Sequence, residues 1–389
     1  MRYITDPGTD NKLSILGFGC MRFPLDAGKA EKLVLTAIEN GVNYFDTAYV
    51  YGNSETVLGG ILSRNNAREK VYIATKLPWG KCRIYEDFDR FFNLQLKRLN
   101  TDHIDYYLIH NLSETGQWNR LREIGAEKWI ADKKANGAIK RIGFSFHGPR
   151  DNFIELLDAY EWDFCQIQYN YMDENYQAGR SGLHKAYEKG LPVVIMEPLL
   201  GGKLATGLPP NALKILNETG ETRTPAAWAL RWLWNQPEVS VVLSGMNSLD
   251  QLAENVETAE NAAPGMLTVK EAAAYAPVVA ALREAYKVSC TGCNYCMPCP
   301  HGVDIPSCLA AYNTSYAMGF VSGMTLYVTS TGVNNPEKNH SARRCIKCGA
   351  CEKKCPQHIE ISKSMTAVSK RLEPFWFNAV MWLVRKIFK

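Results

Sequence analysis

Eight of the twelve cysteines in this 389-residue chain lie in two tight arrays. The first reads Cys290-x2-Cys293-x2-Cys296-x2-Cys299-Pro300 and the second Cys345-x2-Cys348-x2-Cys351-x3-Cys355-Pro356. A thiolate at every third residue of a short loop suits a compact centre of soft iron, and a proline after the last cysteine keeps helix from starting too early. The spacing predicts two [4Fe-4S] clusters on these eight residues. The first array is one residue short between its third and fourth cysteines, which leaves its ligand set open, with Cys308 a conceivable substitute. Structural zinc is the rival reading, but four cysteines within ten or eleven residues, each set closed by Cys-Pro, exceed what two tetrahedral sites need. A disulfide framework does not suit a chain whose opening MRYITDPGTD lacks an apolar signal segment. A reducing cytoplasm is the expected setting.

Asp46, Tyr51, Lys76 and His110 form a second constellation, at or just past the ends of short apolar runs. A buried lysine needs a carboxylate, which Asp46 can supply. An ammonium beside a tyrosine hydroxyl favours the tyrosinate, lowering a pKa that starts near about 10. Such a tyrosine can protonate a forming alkoxide while a histidine fixes the substrate oxygen. Singly these residues say little: a strand-end Asp caps loops, a Lys snorkels, and a lone His is commonly structural. Their conjunction carries the reading.

The elements that must position them alternate between short strand-like runs and helical periods. Strands are expected at Ser14 to Cys20, Asn43 to Ala48, Val71 to Leu77, Ile104 to His110, Ile139 to Phe146, Phe164 to Tyr171, Pro192 to Leu199 and Val239 to Met246. Helices are expected at Ala30 to Asn40, Glu86 to Leu99, Trp118 to Asn136, Asn152 to Ala159 and Pro225 to Trp234, with Gly41, Gly137 and Gly190 as stops. Eight βα units over roughly 250 residues predict an α/β (β/α)8 TIM barrel, whose functional groups belong at the C-terminal strand ends. An open doubly wound sheet would need a glycine-rich phosphate turn that Gly17-Phe18-Gly19-Cys20 does not supply. The expected organisation is a barrel over 1–262, a linker helix from Val269 to Tyr286 and iron–sulfur domain over 263–372, and an apolar, basic C-terminal helix over 373–389. No internal repeat is visible beyond the βα alternation.

A formal charge of +4 with interspersed signs gives no basis for nucleic acid binding. Basic residues are in excess only toward the C-terminus, where they offset anionic clusters or face an acidic partner or a membrane surface. The segment from Pro374 to Phe388 is too short to span a bilayer. A helix docked on protein is expected, with membrane-surface contact the alternative.

Asp46-Thr47-Ala48-x2-Tyr51-Gly52, Ile73-Ala74-Thr75-Lys76 and Tyr107-Leu108-Ile109-His110 resemble the catalytic motifs of the aldo-keto reductase superfamily, over about residues 12 to 260. The resemblance implies NADP or NAD across the barrel mouth, hydride transfer to or from a small carbonyl or alcohol substrate, Tyr51 as general acid, Asp46 and Lys76 tuning it, and His110 orienting the substrate. It also implies cofactor contacts by the Gly19 and Met21 backbone, by Asp46, by Ser145 and Gln166 at the carboxamide, by Met196 at the nicotinamide, and by Glu254 and Asn255 at the adenine. This chain departs from the common pattern with Met196 for an aromatic residue, Phe146 for Asn, and Gly245 and Gln251 where many NADP-dependent members carry Lys and Arg. The cysteine arrays resemble a bacterial two-cluster ferredoxin, which implies that Cys299 serves the cluster of Cys345, Cys348 and Cys351 while Cys355 completes that of Cys290, Cys293 and Cys296. The combination resembles a prokaryotic branch of aldo-keto reductases with a C-terminal ferredoxin-type domain, and a redox partner protein is an implied ligand. The competing expectation is an electron-transfer or redox-responsive protein that keeps the barrel as a scaffold. Substrate identity is set by loops that carry no readable code.

Overall fold

The structure is a computed structural model that describes residues 1–333 and 339–377. Two compact units are present, one formed by Met1–Leu199 with Ala226–Leu267 and the other by Leu200–Pro225 with Thr268 onward. The segment 200–225 thus groups with the second unit although it lies between two barrel strands in sequence.

In the first unit a hairpin of β1 (Tyr3–Thr5) and β2 (Lys12–Ser14) precedes eight parallel strands. They are β3 (Leu16–Gly19), β4 (Tyr44–Asp46), β5 (Tyr72–Leu77), β6 (Ile104–Leu112), β7 (Ile139–Phe146), β8 (Phe164–Gln168), β9 (Val193–Met196) and β10 (Val241–Ser244). They close in chain order, with β10 paired to β3. Every expected strand is present in the expected barrel. The first is divided, because Ser14 ends the hairpin and its hydroxyl bonds the Leu16 carbonyl across the turn at 2.7 Å. Leu13 enters the barrel core with Tyr44, Tyr106, Leu108, Phe164 and Val241. Asp6, from the hairpin loop, accepts from Tyr106 and Arg141, both at 2.8 Å. The hairpin therefore plugs the end of the barrel away from the C-terminal strand ends.

Helices follow the strands as the periodicity indicates, with one difference. The expected helix from Trp118 to Asn136 is two helices, Thr115–Glu123 and Ala126–Ala135, broken where Gly125 adopts φ 95°. That left-handed turn costs a glycine little and would interrupt any i to i−4 ladder. In the second unit the helix Val269–Ala285 opens on a capping box of Thr268 and Glu271. Helices Ile305–Ala317, Phe320–Thr331 and Ile361–Leu372 then enclose a separate apolar core that includes Leu309, Tyr327, Met365 and Val368. The expected C-terminal helix falls largely outside the described residues, which end at Phe377.

Candidate functional site

Pairing of β4 with β5 sets Asp46 opposite Ala74. Lys76, two residues beyond Ala74, shares its face of the sheet, so its side chain meets the carboxylate. The Lys76 Nζ lies 2.7 and 2.6 Å from the two Asp46 oxygens and 2.8 Å from the Thr47 carbonyl. Three acceptors match three ammonium protons, which is what an ion pair only 1% exposed on its lysine side requires. Burial pushes the Asp46 carboxyl up, and Lys76 and then the Gln166 amide oppose that rise.

Tyr51 follows in the loop that leads into helix Ser54–Arg64, its ring centre 5.2 Å from Nζ. The His110 ring meets it edge-on, with centroids 6.0 Å apart. Pairing between β6 and β7 shifts register between Ile109 and Leu112, and Asn111 takes φ 57°. A bulge of this kind re-aims a side chain at a barrel rim. It is pinned by the Asn111 N–H, which donates to Ser145 Oγ at 2.7 Å. All four residues of the constellation come together at the C-terminal strand ends.

Burial, then Lys76 and His147, hold the His110 imidazole well below its ordinary pKa. It is neutral at pH 7. An unfolded chain accepts that proton near pH 6.5 and the folded one resists it, so the associated stability is complete above pH 6.5 and is lost as pH falls below it. Between pH 7.5 and 5.5 the wild type should lose more stability than His110→Gln. Urea unfolding of both proteins at the two pH values checks this; equal losses would mean His110 charges freely.

The cofactor positions named from sequence also border the mouth. Gly19 pairs with Asp46, Met21 lies in the single turn Cys20–Arg22, and Met196 ends β9 opposite Gln168. Ser145 pairs with Gln166 on the adjacent strand. Ser145 accepts the Asn111 N–H, which leaves its hydroxyl proton to donate. Gln166, 2% exposed, turns its amide nitrogen toward Asp46, and its Oε1 has no hydrogen-bond partner among the described residues. A donor and an orphaned acceptor thus stand side by side. Glu254 and Asn255 lie on helix Leu249–Glu260, where the buried Asn255 amide donates to Ser244 Oγ at 3.0 Å. The Gln251 side chain accepts from the Asn247 N–H at 3.0 Å, and residues 245–251 contain no lysine or arginine.

Sequence reasoning missed the support behind Lys76. Glu55, 1% exposed, accepts from Thr75 and Gln95, both at 2.7 Å, and from Arg98 at 3.1 Å. Gln95 also donates to the Lys76 carbonyl at 3.1 Å and accepts from Tyr107 at 2.7 Å. A fully satisfied buried network of this kind fixes the strand that carries the lysine. Glu55, Leu58 and Leu62 share helical spacing, so the buried face was legible and its carboxylate was the overlooked signal.

In the second unit the cysteines line two hollows. Cys299, Cys345, Cys348 and Cys351 surround one, and Cys290, Cys293, Cys296 and Cys355 surround the other, with Ile305 and Ile361 bordering both. Burial and then Cys290, Cys293 and Cys355 push the Cys296 thiol up to about 12. Each set therefore draws its fourth thiol from the other array. Four soft thiols around a hollow fit a cluster, and their mutual repulsion favours a cationic centre between them. Cys308 belongs to neither set; it is buried in the apolar core, so it does not substitute for a ligand.

The two arrays form an internal repeat that was not recognised in sequence. Gly292 and Lys347, before the second cysteine, have φ 67° and 62°, and Asn294 and Gly349, after it, have φ 65° and 71°. Val303-Asp304-Ile305 and Ile359-Glu360-Ile361 then lead into equivalent helices. The extra residue before Cys355 and the intervening helix Phe320–Thr331 obscured the correspondence.

Comparison with known proteins agrees with both units. Residues 15–264 match the Aldo/keto reductase family and residues 289–360 match a 4Fe-4S dicluster domain. An uncharacterized oxidoreductase, YqkF of Bacillus subtilis, is 26% identical over 280 residues, covering 64% of this chain and 89% of the relative. The NADH-specific methylglyoxal reductase of Escherichia coli is 26% identical over 300 residues, covering 64% and 90%. The aldo-keto reductase AKR11C1 from Bacillus halodurans, in its holo form, superposes with a TM-score of 0.60 at 27% identity, over 72% of this chain and 96% of that one. With a closed eight-stranded barrel and a family match over residues 15–264, the chain belongs to the aldo/keto reductase family and carries a C-terminal 4Fe-4S domain.

Proposed function

We propose that the barrel reduces a small aldehyde or ketone, or oxidises the corresponding alcohol, with Tyr51 as general acid. The observation that carries this reading is the convergence of Tyr51 on both the Lys76 ammonium and the His110 ring. A nicotinamide, when bound, supplies or accepts the hydride. Ser145 and Gln166 fit its carboxamide, because the hydroxyl can donate to the carboxamide oxygen and the orphaned Oε1 can accept from its amino group. Lys76 favours the phenolate form of Tyr51, so the hydroxyl proton is released toward an oxygen that is gaining charge. Asp46 keeps the ammonium charged and aimed. Neutral His110 can donate one N–H to the same oxygen without repelling Lys76.

The helix start at residues 245–251 provides no cation for a 2′-phosphate, and Asp250 adds a negative charge there. NADH is therefore expected to bind at least as tightly as NADPH, since the two charge-assisted bonds that favour the phosphate, about 1.5–3 kcal/mol each, are missing. Fluorescence titration of the anaerobic protein with each nucleotide measures this; a clear NADPH preference would count against the assignment. Carbonyl-dependent oxidation of either nucleotide tests the function itself, and no binding with no turnover would leave the barrel a scaffold. For the second unit we propose that the two thiol sets each hold a [4Fe-4S] cluster that exchanges single electrons with a partner protein.

A further inference from the structure

The two cysteine arrays differ in the charge of the residues along them. Residues 288–300, around the first array, carry no charged side chain. Residues 343–354, around the second, carry Arg343, Arg344, Lys347, Lys353 and Lys354 against Glu352 alone. Arg343 is held by Glu373 at 3.2 Å and Arg344 by the His301 carbonyl at 3.1 Å, while Lys347, Lys353 and Lys354 are exposed. Along the chain the exposed cations thus gather at one array, where Lys347 precedes Cys348 of the second hollow and Lys353 and Lys354 precede Cys355 of the first.

That array is also the one that reaches solvent. Cys348 is the exposed member of the eight, and its neighbour Ile346 is 63% exposed. The backbone at Lys347 adds a second sign. Its φ of 62° is a conformation that the first array assigns to Gly292, at 67°. A side chain is tolerated there against its conformational preference, and such outliers point to a use for the side chain.

We propose that the exposed surface of the second array, Ile346 and Cys348 with Lys347 between them and Lys353 and Lys354 just after Cys351, is the docking face for an acidic one-electron carrier protein. This rests on the reading of the eight cysteines as cluster ligands and is independent of the barrel chemistry. Carriers of single electrons form small, transient interfaces, and complementary charge raises their association rate more than their affinity. Exposed lysines along the same array as an exposed apolar residue and an exposed ligand cysteine suit such a contact.

The test uses the full-length chain with its iron reconstituted and two acidic carriers, flavodoxin and a [2Fe-2S] ferredoxin, with basic cytochrome c as the opposite-charge control. Association rates are measured at low and near-physiological ionic strength. At least one acidic carrier should bind the wild type about tenfold faster or more at low salt, and the variant K347E/K353E/K354E should lose that advantage while keeping its iron. Equal rates for variant and wild type, no association with either acidic carrier, or cytochrome c binding as fast would each overturn the proposal. Sedimentation with phosphatidylserine vesicles through the same lysines, without carrier binding, would reassign the face to a membrane surface and also overturn it. Carbonyl-dependent NADH oxidation should be unchanged in the variant; its absence from both proteins would defeat the barrel reading and leave the docking result standing.

Discussion

Replacing Tyr51 by Phe should lower kcat for carbonyl reduction by about 10²–10⁴-fold, the usual contribution of a positioned general acid, while nucleotide affinity changes little. The phenylalanine keeps the ring that packs against His110 and Lys76 and removes only the hydroxyl. Steady-state kinetics with nucleotide titration separates the two effects, and turnover that survives would require another acid. Lys76→Met should reduce kcat comparably but by another route. It leaves the Asp46 carboxylate, about 5% exposed, without its cation. Breaking one side of a buried ion pair costs about 3–5 kcal/mol, so this variant should also show a lower Tm, which Tyr51→Phe should not. Equal thermal stability for the two would mean that Asp46 is satisfied without Lys76.

The second large effect concerns the crossed thiol sets. Cys355→Ser should empty the site that contains Cys290, Cys293 and Cys296, although Cys355 lies 59 residues or more from each of them in sequence. Iron counts on single and double variants resolve the assignment. Cys290→Ser with Cys355→Ser should lose no more iron than either alone, about half, because both remove the same cluster. Cys345→Ser with Cys355→Ser should lose nearly all. The opposite pattern would mean that each array holds its own cluster. Because the hollows are walled by Ile305 and Ile361 and continue into an apolar core, loss of a cluster should also loosen the second unit. Hydrogen exchange at helices Ile305–Ala317 and Ile361–Leu372 would report it.

Much of this architecture was legible in sequence because its signals are local. A strand buried on both faces reads as a short apolar run, and Cys-x2-Cys spacing is a property of one loop. The helix over Glu86–Leu99 is observed at its expected bounds. The break at Gly125 was not, since nothing in Trp118 to Asn136 distinguishes a glycine tolerated within a helix from one that leaves it. The repeat within the cysteine unit was hidden for a different reason. It lies in backbone conformation, where Gly292 and Lys347, Asn294 and Gly349, and Gly302 and His358 occupy matching positive-φ turns.

By itself the sequence determined the residue types and the spacing: four polar groups at or near strand ends, eight thiols in two runs, and a barrel to hold the former. Tertiary structure alone decided which groups meet. Strand register brings Lys76 to Asp46, the β6 bulge turns His110 toward Tyr51, and Glu55 stiffens β5 from behind. In the second unit, folding sends Cys299 and Cys355 to opposite arrays and leaves Cys348 exposed. The physical reason is common to both units. Spacing along a chain constrains only near neighbours, whereas ion pairs, orphaned acceptors and shared cavities depend on segments that packing brings together from distant parts of it.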